Sequence, residues 1–113
     1  MLLPRDATLV RIFIGESARF EGHPLYEAIV LKARELHMAG ATVLRGPMGF
    51  GRTSRLHTTK VLRLSDDLQI VVEIVDSQQQ IDQFLPILET MIGSGLVTLE
   101  KVQVIRYGDA AGG

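Results

Sequence analysis

The chain has 113 residues, a hydrophobic content of 46% and a formal net charge of −1 at pH 7, values typical of one globular domain. We therefore expect a single domain over residues 1–113, with residues 108–113 as a loose tail. The absence of cysteine excludes disulfides and thiolate catalysis, and the near-neutral charge disfavours nucleic acid as a partner. The sequence has no basic leader and no run of about 18 apolar residues, so we expect a cytoplasmic protein without membrane insertion.

The first half of the chain predicts a strand, a helix and a second strand. Residues 7–15 are rich in β-branched side chains and end at a glycine, as a strand does, and a polar connection follows. Pro24 suits the first position of a helix, and Gly40 is predicted to end that helix. Its apolar residues recur at helical spacing: Leu25, Ile29, Ala33 and Leu36. Residues 41–50 return to strand character, and Pro47 favours a sheet edge or a bulge.

The second half repeats this order. Residues 58–65 alternate poorly and have only fair strand propensity, whereas residues 69–76 are the most strand-like run of the chain. Ser77 and Gln80 form a capping box that opens a second helix. One apolar stripe of that helix contains Ile81, Phe84, Leu85, Leu88 and Met91. A Gly-Ser-Gly turn ends the helix, and residues 96–107 predict a last strand.

The element order is therefore βαββαβ. Right-handed crossovers in such a chain give an α+β, ferredoxin-like fold, in which a four-stranded antiparallel sheet carries both helices on one face. This fold hosts many unrelated functions, so the function has to be argued from particular residues.

The most unusual stretch is GPMGFGRTSRLHTTK, residues 46–60, which we call the cationic segment. No acidic residue lies between Arg45 and Ser65, and the basic residues there are Arg45, Arg52, Arg55, Lys60 and Arg63. Gly49 and Gly51 allow backbone N–H groups to approach a ligand closely, and the Arg52 guanidinium suits phosphate oxygens. The segment therefore indicates an anion site, although turn glycines with solvated arginines explain the same residues equally well.

The chain also resembles known proteins over nearly its whole length. GATVLRGPMGFGR (residues 40–52) resembles the segment that leads into the T-loop of the PII signal-transduction proteins, and GSG before a strand ending in VIRYGD is similar to the PII B-loop and closing strand. A closer resemblance is to a small PII-like family of unknown function, through RIFIGES, PLYEAIV, GATVLRG, VVEIVD and GLVTLEKVQVIRY. The resemblance implies a homotrimer with clefts between subunits, and a regulatory role without enzymatic activity.

The resemblance also implies particular site residues. An adenine nucleotide is expected at the intersubunit clefts, bound through Gly49, Gly51, Arg52, Gly93, Gly95 and Arg106. A partner protein, such as a membrane transporter or an enzyme, is expected to be engaged by the loop 50–60 through Arg55, His57 and Lys60. This chain departs from the PII pattern at Leu96, where PII proteins carry a lysine that helps to neutralise phosphate.

Other chemistries have less support in the sequence. His23, His37 and His57 fall on three different predicted elements and share no ligand spacing, so no metal site is predicted. We place His37 in the last turn of the first helix. No nucleophile has a base placed to activate it, and the acylphosphatase signature is missing from the first strand and the loop after it. The alternative function is therefore a ligand-free trimeric protein-binding module or a CutA-like module.

Overall fold

The structure, a computed structural model, describes residues 3–46, 48–50, 56–58 and 68–108. Its helices are α1 (Leu25–Glu35) and α2 (Gln78–Met91). Its strands are β1 (Asp6–Gly15), β2 (Arg19–Phe20), β3 (His23–Pro24), β4 (Thr42–Arg45), β5 (Met48–Phe50), β6 (Leu56–Thr58), β7 (Gln69–Asp76) and β8 (Leu96–Gln103).

One antiparallel sheet of four strands organises the fold, with the order β4-β7-β1-β8. The two central strands are those with the strongest strand signal in the sequence, and β4 and β8 form the edges. This order, with α1 and α2 packed in one core with the sheet, is the ferredoxin-like α+β fold, so the predicted fold class is confirmed.

The core lies between this sheet and the two helices. Alternate residues of a strand point to the same face, which places Val10, Ile12 and Ile14 of β1 beside Ile70, Val72 and Ile74 of β7. The helices contribute the buried residues Leu25, Ile29, Ala33, Ile81, Phe84, Leu88 and Met91. Both predicted helical stripes are confirmed, except that Leu36 and Leu85 are only partly buried.

The end of α1 differs from its prediction. His37 adopts a left-handed conformation with φ of 59°, and its amide donates to the Arg34 carbonyl at 3.0 Å. The Met38 amide donates to the Ala33 carbonyl at 3.0 Å, which completes a Schellman motif. The helix therefore ends at Glu35, and the predictions that Gly40 stops it and that His37 lies in its last turn are wrong.

The start of α2 follows its prediction. The Ser77 hydroxyl oxygen accepts a hydrogen bond from the Gln80 amide at 3.1 Å, as the capping sequence indicates. No helix among the described residues is long and apolar enough to cross a membrane.

Two other regions also differ from prediction. The polar connection after β1 contains the small β2–β3 hairpin, whose turn residues Glu21 and Gly22 both have positive φ. The strand predicted over residues 41–50 is divided into β4, which pairs with β7, and β5, which pairs with β6 in a separate two-stranded sheet. Most of the stretch 58–65, which has fair strand propensity, lies outside the described residues.

Candidate anion site at one end of the sheet

Arg45, which directly precedes the cationic segment, and the Gly-Ser-Gly turn lie at the same end of the sheet. Arg45, the last residue of β4, pairs with Ile70, and Leu96, the first residue of β8, pairs with Phe13 near the end of β1. The base of the cationic segment and the Gly-Ser-Gly turn therefore share one end of the sheet. They lie at opposite edges, separated by three strand spacings or about 14 Å.

Arg45, at the base of the cationic segment, forms an ion pair with Glu16. Arg45 Nη2 lies 2.6 Å from Glu16 Oε2, with side-chain exposures of 52% and 33%. The Glu16 amide donates to the Leu68 carbonyl at 2.8 Å, and the Gly46 amide donates to the Gln69 carbonyl at 2.8 Å. In the sequence, Arg45 begins a stretch without acidic residues, whereas the fold supplies a carboxylate from the end of β1.

The other predicted residues of the cationic segment are only partly described. Gly49 lies in β5 and His57 lies opposite it in β6, within a short hairpin. Gly51, Arg52, Arg55 and Lys60 lie outside the described residues. Their roles in ligand and partner binding remain predictions.

The Gly-Ser-Gly turn lies beside a groove between α2 and β8. This groove has a volume of about 650 Å³, and its lining includes Leu85, Glu89, Ile92, Ser94 and Leu99. The two glycines of the turn differ. A Cβ on Gly95 would lie 2.8 Å from the Phe13 carbonyl oxygen, whereas a Cβ on Gly93 would meet open space. Gly95 therefore has a packing role against β1, independent of any ligand.

This difference predicts that only one of two alanine variants is clearly destabilised. Gly95→Ala should lower the free energy of unfolding by about 1 to 2 kcal/mol, because the obstructing atom belongs to the backbone and cannot rotate away. Gly93→Ala, the matched control, should change it by no more than about 0.5 kcal/mol. Urea denaturation of both variants measures the difference, and equal midpoints would contradict the packing role.

Arg106 lies away from this end of the sheet. The predicted last strand extended to residue 107, but β8 ends at Gln103, and the following chain turns so that the Tyr107 hydroxyl donates to the Ala39 carbonyl at 2.7 Å. Because β8 spans about 25 Å, Arg106 and the Gly-Ser-Gly turn lie at opposite ends of the strand. Among the described residues of one chain, Arg106 therefore lies apart from Gly93 and Gly95.

A buried carboxylate at that far end was not predicted. Asp76 is fully buried, and its oxygens accept hydrogen bonds from the Ser77 amide at 2.7 Å and from the Ala39 amide at 2.8 Å. Both oxygens are thus bonded to backbone, which indicates a structural role. The sequence signal was an aspartate that ends an apolar strand directly before a capping serine.

The sheet face opposite the helices carries a cluster of charges. Arg11 Nε donates to Glu73 Oε2 at 2.8 Å, and Arg11 Nη1 lies 3.5 Å from Glu100 Oε1. The hydrogen bond to Glu73 is the main cause that raises the pKa of Arg11 above its ordinary value, so this guanidinium stays charged across the working pH range. Among the described residues, no three His, Cys, Asp or Glu side chains are grouped so that they could hold a metal ion.

The fold is similar to two solved structures of CPII, a nitrogen regulatory PII-like protein from Thiomonas intermedia K12. The structure bound to ADP, AMP and bicarbonate has a TM-score of 0.61 at 17% identity. The structure bound to ADP and bicarbonate has a TM-score of 0.58 at 18% identity. Each comparison covers 89% of this chain and 90% of the CPII chain. At these identities the likeness shows the fold alone.

Sequence relatives cover nearly the same region. A UPF0166 protein from Aquifex aeolicus is 41% identical over 99 residues, which are 86% of this chain and 91% of the relative. A UPF0166 protein from Methanocaldococcus jannaschii is 30% identical over 101 residues, 88% of this chain and 93% of the relative. The DUF190 family, described as "Uncharacterized ACR, COG1993", matches residues 7–104. The chain therefore belongs to the DUF190 family, and its fold is similar to that of CPII.

Proposed function

We propose that the chain is a non-enzymatic, PII-like regulator that binds an adenine nucleotide in the clefts of a homotrimer and engages a partner protein through the loop 50–60. The observation that supports this proposal is the position of Arg45, directly before the cationic segment, relative to the Gly-Ser-Gly turn. The base of the cationic segment and the Gly-Ser-Gly turn lie at one end of the sheet but at opposite edges.

Identical subunits in a ring bring opposite edges together. A head-to-tail interface places the β4 edge of one subunit beside the β8 edge of its neighbour, and a ring of three closes such contacts. Arg45 of one subunit then faces the Gly-Ser-Gly turn of the next. A monomer leaves these elements about 14 Å apart, so the proposed cleft needs a second chain.

The exposed side chains of the two edge strands support this arrangement. Val43 and Leu44 of β4 are 38% and 49% exposed, and Leu96 and Leu99 of β8 are 56% and 49% exposed. Unpaired edge strands with exposed aliphatic residues are suited to pairing with another chain. Subunit contact would cover apolar surface on both edges and would also bury more core in a short chain.

The ligand class follows from charge and from fold likeness. Arginine forks and close backbone N–H groups suit phosphate oxygens, and CPII, which shares the fold, has been solved with ADP and AMP. Leu96 supplies no cation at the position where PII proteins carry a lysine. We therefore expect ADP and AMP to bind more tightly than ATP, because a third phosphate adds charge without adding a partner.

Sedimentation and thermal unfolding together test this function. We expect a trimer at micromolar concentration, with a thermal midpoint that rises on addition of ADP, because a ligand bound only by the native state stabilises by about 2.7 kcal/mol at one hundred times its Kd. A stable monomer would overturn the shared cleft. A trimer whose midpoint is unchanged by millimolar ADP or AMP would favour the ligand-free protein-binding or CutA-like module.

A further inference from the structure

Glu16 contacts the chain on both sides of the cationic segment. Its carboxylate pairs with Arg45 before the segment, and its amide donates to the Leu68 carbonyl where the described chain resumes ahead of β7. The Arg45–Glu16 distance of 2.6 Å is the shortest of the ion pairs found among the described residues. The pair crosses over β7, since β4 and β1 are not neighbours in the sheet.

We propose that Arg45 is an anion-binding residue of the cleft and that Glu16 is an internal competitor for it, which an incoming phosphate group must displace. This inference rests on the proposed function for the identity of the ligand, but its geometry is independent of that function. Glu16 then sets the affinity of the site, and the loss of its contact with Arg45 accompanies ligand binding.

Three features of the pair suit an exchange of anions. The Arg45 guanidinium is half-exposed, so a ligand can reach it without unfolding of the sheet. The Glu16 amide is fixed by the Leu68 carbonyl, so the carboxylate can rotate away while the backbone stays in place. A phosphate group also offers more negative charge and more acceptor oxygens than a carboxylate, which favours it in competition for a guanidinium.

The pair differs from the Lys32–Glu35 ion pair in what it joins. Lys32 and Glu35 lie three residues apart in α1, at 3.3 Å, and their contact links no separate elements. Arg45 and Glu16 instead join an edge strand to the end of a central strand, at the base of the segment that the sequence marks as cationic. An internal carboxylate at this place lowers the affinity for every anion that uses Arg45.

The test compares Glu16→Gln with Glu21→Gln. Both variants remove one negative charge, but Glu21 is exposed at the β2–β3 turn, so it controls for the change in net charge. Titration calorimetry with ADP and, separately, with inorganic pyrophosphate should show that Glu16→Gln binds both about three- to fivefold more tightly than the wild type, the factor that corresponds to a partly exposed ion pair. Glu21→Gln should bind as the wild type does.

A double variant guards against an indirect effect of folding. In an Arg45→Gln background, Glu16→Gln should produce no gain in affinity, because the guanidinium for which the carboxylate and the phosphate compete is absent. Glu16→Gln that binds no more tightly than Glu21→Gln would overturn the inference, while ADP binding by the wild type would keep the proposed function. Tighter pyrophosphate binding by Glu16→Gln, with no ADP binding by any protein, would support the inference and remove the nucleotide. Failure of every protein to bind either probe would remove both.

Discussion

Asp76→Ala is expected to lower the free energy of unfolding by about 3 kcal/mol, because it leaves two backbone amides without their acceptor in a buried place. The carboxylate of Asp76 is fully buried and accepts from the Ser77 and Ala39 amides. These bonds tie the start of α2 and the turn after α1 to the end of β7. No other described polar residue joins three elements in this way while being fully buried.

Two further variants make this stability prediction specific. Asp76→Asn keeps one carbonyl oxygen as an acceptor, so it should be less destabilising than the alanine variant. Asp82→Ala removes an exposed aspartate of α2 and should change stability by no more than about 0.5 kcal/mol. Urea denaturation of the three proteins measures the order, and a loss below about 1 kcal/mol for Asp76→Ala would show that water replaces the carboxylate.

Arg52→Ala is expected to weaken ADP binding by about 1.5 to 3 kcal/mol, the range for hydrogen bonds to charged groups. Arg52 follows the two glycines of the cationic segment, where a planar guanidinium can meet phosphate oxygens while backbone amides approach closely. The protein should stay folded. Arg55→Ala is the matched control, because Arg55 is expected to meet a partner protein and should cost less affinity for the nucleotide.

Titration of the wild type and both arginine variants with ADP measures how much Arg52 contributes to ADP binding. Equal affinities for all three proteins would leave the cationic segment as a solvated surface. A larger loss of ADP affinity for Arg55→Ala than for Arg52→Ala would indicate that the phosphate contact lies further along the cationic segment.

Local sequence patterns predicted the central part of the fold. The range predicted for β7 agrees with the structure, because its alternate residues fill one core face while Asp76 and Ser77 mark its end. The start of α2 was predicted for a similar reason, since the Ser77 cap and the apolar stripe after it act within a few residues. In both elements, the residues that the apolar pattern marks as one face are the residues that pack in the core.

The boundaries that were wrong depend on interactions that local patterns do not contain. α1 ends where His37 adopts a positive φ. Because glycine is the usual residue in this conformation, the sequence pattern favours Gly40 as the end of the helix. β8 ends at Gln103 because Gln103 pairs with Asp6, the first residue of the neighbouring strand β1, and the Tyr107 hydroxyl then bonds to the Ala39 carbonyl. Apolar residues after Gln103 continued the strand pattern without a neighbouring strand to pair with.

The candidate site was predicted by residue type more than by arrangement. Glycines and arginines with no acidic neighbour in sequence indicated an anion site, but Arg45 finds Glu16 through the order of the strands. The sequence likewise grouped Gly93 and Gly95 as ligand residues, although Gly95 is required where the turn packs on β1. Which edge each element occupies follows from the sheet topology, and that position is what points to a cleft between subunits.

Native mass spectrometry in the presence of ADP tests the central claim most directly, because one spectrum reports the number of chains and of bound nucleotides. The proposed function predicts a three-chain species that takes up to three ADP molecules, with little ADP on any monomer that dissociates. ADP bound with equal occupancy by monomers, or a three-chain species without ADP at millimolar concentration, would contradict a nucleotide site shared between subunits.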